Sequence, residues 1–229
     1  ALAQLNPTVG AFAQNAERIL RAARAAWAQG ADVLATPELA ICGYPPDDLV
    51  TRPLFLDESC RTLRRLAHAL PPQLLTLVGA PEPLPGRRPR NAAYVLYRGR
   101  IVASYGKMLL ARGGVFDEER VFEPGDRPLV LRLGPARVGL HICEDSWHPT
   151  ERPCAALRKA VHVVVNMSAS PFQHGKFALR RRVIAQAAAT IHAPIAYVNL
   201  VGGQDELVFD GASFAVDPRG RLLARARSF

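Results

Sequence analysis

Short apolar segments alternate with amphipathic helical segments along the whole chain, and this alternation restricts the possible folds more than any other feature. The predicted strands are residues 1–5, 33–36, 74–79, 92–97, 101–105, 129–133, 137–142, 161–165, 195–199, 211–216 and 221–226. The predicted helices are residues 15–29, 54–70, a segment after Pro149, and about 175–192. Such alternation is typical of α/β proteins. Because no Pro-, Gly- or Ser-rich linker divides the 229 residues, the sequence predicts one α/β domain.

Neither end of the chain has the features of a targeting or membrane segment. The opening ALAQL is followed at once by Asn6, without the basic start and apolar stretch of a secretory signal. The longest apolar runs are far shorter than the ~20 residues that a membrane-spanning helix needs. We therefore expect a cytoplasmic protein that does not contact membranes. Since residue 1 already lies in a predicted strand and Phe229 follows another, both ends of the domain are expected to be truncated.

The net charge of +9 raises the question of nucleic-acid binding, because a basic surface attracts phosphate. Of the 29 basic residues only Lys107, Lys159 and Lys176 are lysine, and the arginines are scattered among alanines and prolines. The densest cluster, residues 180–182 (RRR), is predicted to form the solvated face of a helix. No pattern of interleaved aromatic and basic residues accompanies it, so nucleic acid is an unlikely partner.

The four cysteines, Cys42, Cys60, Cys143 and Cys154, stand singly along the chain. No Cys-x-x-Cys pair and no histidine at zinc-like spacing accompanies them, which argues against a structural metal site. A disulfide framework is equally unsupported in a chain of this length without a signal peptide. We therefore predict free thiols, one of which is available for chemistry.

Three chemically distinctive residues occur where predicted strands end, the edge at which an open α/β sheet usually places its working groups. Glu38 follows residues 33–36, Lys107 follows residues 101–105, and Cys143 follows residues 137–142. A thiol nucleophile, a carboxylate that moves its proton and a fixed cation form a set suited to acyl transfer from an amide or nitrile. Each residue alone also fits a structural role, as a packed thiol, a turn cap or a surface charge.

The sequence around these residues resembles the carbon-nitrogen hydrolase (nitrilase) superfamily, in the form found in the glutaminase domain of glutamine-dependent NAD synthetases. Residues 36–49 (TPELAICGYPPDDL) are similar to its glutamate motif. Lys107 with residues 114–122 (GVFDEERVF) is similar to its lysine motif, and residues 141–147 (HICEDSW) are similar to its cysteine motif. Residues 166–172 (NMSASPF) and 199–211 (NLVGGQDELVFDG) extend the resemblance, which covers essentially the whole chain in order.

The resemblance implies a four-layer αββα sandwich with a catalytic triad of Glu38, Lys107 and Cys143. Glu118 would be a second carboxylate beside the nucleophile, able to meet the ammonium end of glutamine. The implied reaction is hydrolysis of the glutamine side-chain amide through a γ-glutamyl thioester. Position by position, the resemblance also implies four substrate contacts, namely Tyr44, Trp147, Ser170 and Lys176.

One loop departs from the family pattern. The family usually has Leu-Pro-Asn-Tyr before Gly-Val-Phe-Asp-Glu, whereas this chain has Leu110-Ala111-Arg112-Gly113 before Gly114. The tyrosine that closes over bound glutamine is therefore absent, and we expect weaker and less selective glutamine binding. Two adjacent glycines also predict a more mobile loop, because glycine samples more backbone states.

The resemblance implies no metal and no organic cofactor for this half-reaction. ATP and deamido-NAD would enter only with an attached synthetase domain, and no Ser-Gly-Gly-x-Asp-Ser phosphate loop occurs in the chain. The expected partners are glutamine, an NAD synthetase domain or subunit that uses the ammonia, and a second copy of the chain. Two other functions stay open: an ω-amidase or other small-amide hydrolase, and a basic nucleic-acid-binding or structural module without activity.

Overall fold

The computed structural model describes residues 1–113 and 116–229. Its helices are α1 (Phe12–Ala28), α2 (Pro53–Ala69), α3 (Glu118–Val121), α4 (Arg152–Leu157) and α5 (Lys176–Ile191). Its strands are β1 (Val33–Ala35), β2 (Leu75–Glu82), β3 (Arg90–Tyr97), β4 (Arg100–Gly106), β5 (Arg112–Gly113), β6 (Phe116–Asp117), β7 (Val130–Leu133), β8 (Ala136–Ile142), β9 (Val163–Ser168), β10 (Ile195–Asn199), β11 (Val201–Gln204), β12 (Leu207–Asp210), β13 (Phe214–Val216) and β14 (Leu222–Arg225). Single 3-10 turns occupy Asp47–Thr51 and Cys143–Ser146.

Two sheets form the centre of the molecule. The first has the order β1-β2-β3-β4 and the second the order β14-β13-β10-β9-β8-β7. Strands β8, β9 and β10 run parallel at the middle of the second sheet, and antiparallel strands flank them. The parallel strands read as almost continuous apolar runs because helices or a second sheet cover both of their faces.

The strand side chains alternate between two apolar layers on each sheet. Leu77 and Val95 from the first sheet pack with Leu140 and Val165 from the second, so the two sheets face each other across one core. The opposite face of the first sheet packs against α1 and α2, and that of the second against α4 and α5. This arrangement confirms the predicted four-layer αββα sandwich.

Differences from the predicted strands occur at the N-terminus and at the hairpin after β10. Residues 1–5 form no continuous strand, and only Leu2 makes an isolated bridge, with Ala35. The hairpin β11–β12 was not predicted, because β11 contains two adjacent glycines and lacks the alternating pattern of a strand. This hairpin lies within residues 199–211, one of the segments that carry the family resemblance.

The prediction that residues 180–182 form a solvated helix face is wrong for Arg180. Its side chain is fully buried and pairs with Asp210 at 2.6 Å. Helical periodicity explains the burial, because Arg180 lies on the same face of α5 as Ile184, Ala188 and Ile191. Arg181 and Arg182 are exposed, as predicted.

Candidate active site

The candidate nucleophile lies where β8 meets a tight turn. Cys143 is buried, with 6% of its surface exposed, and its backbone has φ +41°, which non-glycine residues adopt at a cost of roughly 1–2 kcal/mol. The Asn166 side chain donates to the Cys143 carbonyl at 3.1 Å and so helps to hold the turn. A strained residue fixed at the end of a central strand is a common arrangement for a reactive side chain.

Glu38, Lys107 and Glu118 form a buried ionic cluster. The Lys107 ammonium lies 2.7 Å from Glu38 Oε1 and 2.7 Å from Glu118 Oε2, and all three side chains are at most 5% exposed. Further donors fix the carboxylates, since the Ala169 amide donates to Glu38 Oε2 at 3.0 Å and the Ala111 amide donates to Glu118 Oε2 at 2.8 Å. Two carboxylates therefore share one ammonium in a site screened from water.

Asn91 is the functional candidate that sequence reasoning missed. Its side-chain amide donates to Glu38 Oε1 at 2.7 Å and to Glu118 Oε1 at 3.1 Å. The available signal was a polar residue directly before the apolar strand 92–97, but many strands begin with a polar residue. Only the pairing of β3 with β4 brings it opposite Lys107, whose backbone amide donates to the Asn91 carbonyl at 2.8 Å.

Burial and charge set the protonation of the cluster. Burial raises the pKa of Glu38, and the nearby Glu118 adds to that rise, although Lys107 and Asn91 oppose it. Burial alone would lower the pKa of Lys107, but Glu118 and Glu38 outweigh it and hold that pKa well above its usual value. Burial, followed by the charge of Glu38, raises the pKa of the Cys143 thiol. The resting site therefore contains an ammonium and a protonated thiol.

Asp145 connects the cysteine turn to the end of the lysine strand. Its Oδ1 accepts hydrogen bonds from the amides of Met108 and Leu109, at 3.0 and 2.9 Å. Its Oδ2 accepts from the Ile142 amide at 2.9 Å and from the Tyr105 hydroxyl at 2.8 Å. Burial raises the pKa of Asp145 to about 6, and the donated hydrogen bonds counteract that rise. This clamp fixes the position of the Cys143 turn relative to the Lys107 segment.

Of the predicted substrate contacts, Tyr44 is close enough to the ionic cluster for the charges of Glu118 and Glu38 to affect its pKa. It is buried, and burial followed by the charge of Glu118 holds its pKa well above the usual value, so its hydroxyl stays protonated. Tyr44, Phe116 and Glu118 line a cavity of about 210 Å³, and the Phe116 ring lies 6.5 Å from that of Tyr44. An ion pair between Arg120 and Asp48 joins the two segments that border this cavity.

Trp147 and Lys176 form a second group. The Lys176 ammonium lies 4.9 Å from the centre of the Trp147 ring, a cation–π contact. Within the described residues, the buried indole N–H of Trp147 has no hydrogen-bond partner. Both side chains are half-buried, and neither lines the cavity beside Tyr44.

Ser170 belongs to a third group. Its hydroxyl accepts a hydrogen bond from Arg180 Nε at 3.1 Å, and its amide donates to Asn199 Oδ1 at 2.9 Å. Ser170 is 3% exposed, and these contacts hold it in the buried interior.

Gly113, where the family usually has tyrosine, pairs with Phe116 in the β5–β6 hairpin. Its φ of +80° lies in the left-handed region, which tyrosine adopts only with strain, although an added Cβ would meet no atom within 4 Å. Its sequence neighbour Gly114, part of the loop that we expect to be mobile, lies outside the described residues, as does Val115.

Hydrogen bonds among Asn166, Ser146 and His141 support the turn that begins at Cys143. Asn166 Nδ2 donates to Ser146 Oγ at 2.7 Å, and Ser146 Oγ forms a hydrogen bond with Nδ1 of His141, 2.8 Å away. Burial lowers the pKa of His141 to about 4, which agrees with a neutral ring.

We expect His141 to make the protein acid-sensitive. Its pKa is about 6.5 when unfolded and about 4 when folded, so its contribution is complete above pH 6.5 and is lost as the pH falls towards 4. The difference corresponds to ~3 kcal/mol of unfolding free energy. Urea unfolding at pH 7.5 and pH 4.5 should show a smaller acid loss in His141→Asn than in the wild type. The exposed His174→Asn is the control, and an unchanged acid loss in His141→Asn would contradict the assignment.

Two further observations concern metal ions and membranes. In the described part of the chain, no group of three or more His, Cys, Asp or Glu residues could hold a metal ion. None of the helices in that part is both long and apolar enough to cross a bilayer.

Comparisons with known proteins agree in the family that they indicate. The model of the family described as carbon-nitrogen hydrolase matches residues 1–229. The curated glutamine-dependent NAD(+) synthetase of Synechocystis sp. is 41% identical over 245 residues, which include 100% of this chain and 44% of the relative. This chain therefore spans less than half the length of that relative.

Two solved structures are similar over the whole fold. A glutamine-dependent NAD+ synthetase from Acinetobacter baumannii, in complex with ADP, superposes with a TM-score of 0.93 and 32% identity, covering 100% of this chain and 43% of that one. An amidase from Nesterenkonia sp. superposes with a TM-score of 0.86 and 26% identity, covering 100% of this chain and 85% of that one.

Proposed function

Because the chain belongs to the carbon-nitrogen hydrolase family, we propose that it is a glutamine amidohydrolase, which releases ammonia and glutamate through a cysteine thioester. The observation that carries the choice of glutamine is the similarity of the entire chain to part of the glutamine-dependent NAD(+) synthetases. The amide chemistry is supported by the buried cluster of Glu38, Lys107 and Glu118 near Cys143.

The first chemical step is attack of the thiol on the amide carbonyl. Glu38 takes the thiol proton as Cys143 Sγ bonds to the side-chain carbonyl carbon of glutamine. Glu38 Oε1 already accepts two hydrogen bonds and Oε2 one, so Oε2 retains a lone pair for this proton. Because burial raises the thiol pKa, deprotonation accompanies attack instead of preceding it.

Charge then develops on the carbonyl oxygen. Two of the three N–H groups of Lys107 contact carboxylates, and the third is available to donate to the oxyanion. The backbone N–H that follows Cys143 is the second donor. Glu118 holds Lys107 in place and lies beside the cavity, where it can meet the ammonium end of glutamine.

Collapse of the tetrahedral intermediate completes the formation of the thioester. Glu38 returns its proton to the leaving nitrogen, and ammonia departs. A water molecule, deprotonated by Glu38, then attacks the γ-glutamyl thioester. The C–S bond breaks, Glu38 gives that proton to Cys143 Sγ, and glutamate leaves. Tyr44, Trp147, Ser170 and Lys176 are the proposed substrate contacts, and the unpaired indole N–H of Trp147 is a donor that a substrate oxygen could use.

We further propose that the ammonia serves NAD synthesis. The partner would be a synthetase domain or subunit, which would bring the requirement for ATP and deamido-NAD. The similarity to proteins more than twice as long supports this proposal.

A second candidate is hydrolysis of a smaller amide, as by an ω-amidase. It is favoured by the similarity to the Nesterenkonia amidase and by Gly113 in place of the usual tyrosine. The non-enzymatic nucleic-acid-binding module is less favoured, because Arg180 of the arginine cluster is buried.

Measuring ammonia and glutamate from glutamine, in parallel with ammonia from short amides, separates these functions. We expect release of ammonia and glutamate in equal amounts, with kcat/KM for glutamine above that for short amides. Hydrolysis of short amides alone would favour the second candidate. Retention on DNA that depends on salt, without any amide hydrolysis, would contradict both enzymatic functions.

A further inference from the structure

We propose that Asn91 is a positioning residue that holds the two carboxylates of the site together and keeps Glu38 able to accept a proton. The inference concerns the same site as the proposed function and rests on it. Asn91 is fully buried at the start of β3, beside the end of β4 that leads to Lys107. Among the residues that the structure describes, the Asn91 side chain donates only to these two carboxylates and does not line the cavity, so it acts through the carboxylates that it touches.

The hydrogen bonds assign the orientation of the amide. A carboxylate oxygen accepts and does not donate, so the group that contacts both Glu38 and Glu118 must be the NH₂ of Asn91. Each of its two hydrogens meets a different carboxylate. Only asparagine or glutamine offers two donors on one uncharged atom, and glutamine is one methylene longer.

Asn91 and Lys107 form two parallel bridges between the same carboxylates. Lys107 joins Glu38 Oε1 to Glu118 Oε2, and Asn91 joins Glu38 Oε1 to Glu118 Oε1. The cluster contains two carboxylates and one ammonium, so one negative charge is not balanced. A neutral donor reduces the repulsion between the carboxylates without adding a second cation. A second cation would lower the proton affinity of Glu38 and so weaken it as a base.

The Asn91 bridge also affects the pKa of Glu38. Burial and Glu118 raise that pKa, whereas the hydrogen bonds from Lys107 and Asn91 lower it. Loss of the Asn91 donor removes one of the opposing contributions. The carboxylate would then accept its proton at higher pH and be blocked as a base over a wider range.

The test is the pH dependence of the site in Asn91→Leu, which keeps the size of the side chain but removes both donors. We expect the acidic limb of kcat/KM for glutamine to move up by about one pH unit, a tenfold change in proton affinity. Asn91→Asp replaces the donors with oxygens and should move the limb at least as far. Asn91→Ser, with one hydroxyl donor, should lie between Leu and the wild type.

A second readout makes the test independent of the substrate. The rate at which iodoacetamide alkylates Cys143, located by mass spectrometry, should show the same displaced limb. If the wild type releases no ammonia from glutamine, the proposed function fails, while the alkylation profile still decides the role of Asn91. If Asn91→Leu does not fold, the comparison of Asn91→Ser with the wild type replaces it.

Asn15→Leu is the matched control, because Asn15 is also buried but its amide donates to the carbonyls of Thr8 and Ile41. We expect this variant to lose stability without displacing either limb. An unchanged limb in the Asn91 variants, even with lower activity or stability, would overturn the proposal and leave Asn91 with a packing role. A displaced limb in Asn15→Leu would overturn it as well.

Discussion

Replacing Cys143 with alanine is expected to reduce amide hydrolysis by at least ~10⁴-fold, because no other group in the site can form the thioester. The fold should persist, since the change removes one sulfur atom and leaves the backbone contacts of the turn intact. Glutamine turnover and thermal unfolding of the same preparation measure the two effects. Rapid quenching of the wild type should also reveal a glutamyl adduct on the Cys143 peptide, which the variant cannot form.

Cys42→Ala is the control for this experiment. Cys42 is fully buried, and burial raises the pKa of its thiol, with no ionic group among the causes. Its thiol donates to the carbonyls of Leu39 and Gly43 in its own loop. We expect a modest loss of stability and most of the activity. Equal loss of activity in both variants, at equal thermal stability, would show that Cys143 is not the nucleophile.

Lys107→Arg is expected to be nearly as inactive as Lys107→Ala, although arginine keeps the positive charge. The ammonium lies 2.7 Å from each carboxylate in a fully buried space, which a longer, planar guanidinium cannot occupy without moving its neighbours. A tenfold loss of activity corresponds to ~1.4 kcal/mol of transition-state stabilisation. If Lys107→Arg keeps more than about a tenth of the activity, the role of Lys107 is only to supply positive charge.

The effect on stability separates the roles of charge and shape. Lys107→Met keeps the length of the side chain but leaves two buried carboxylates without a cation, and we expect it to cost ~3–5 kcal/mol of unfolding free energy. This loss should be smaller at low pH, where a carboxylate takes up a proton. The same Lys-to-Arg change at the exposed Lys159 is the matched control and should alter neither activity nor stability.

Much of the fold could be read from local patterns. The helix α5 lies at Lys176–Ile191 against a prediction of about 175–192, and the hairpin β7–β8 joins the predicted pair of strands. Side chains that face one core repeat every two residues in a strand and every three to four in a helix, so these elements leave a signal in adjacent residues. The β11–β12 hairpin leaves a weaker signal, because two of the four residues of β11 are glycines.

The site was only partly predictable. Motif resemblance singled out Glu38, Lys107, Glu118 and Cys143, and the structure brings the first three into direct contact. It did not single out Asn91, because a donor between two carboxylates is defined by residues 53 and 27 positions away. Arg180 shows the same limitation, since its partner Asp210 lies 30 residues further along the chain.

The sequence by itself determined the order of the elements, the layered sandwich and the residue types available for amide chemistry, because periodicity and motifs are local properties. Only the tertiary structure decided which titratable groups lie close enough together to exchange a proton. Cys143 acquires its raised pKa, and Glu38 its place beside Lys107 and Asn91, only when separate strand ends meet in a buried space. Burial and charge act through distance in space, and at this site they join segments that are far apart along the chain.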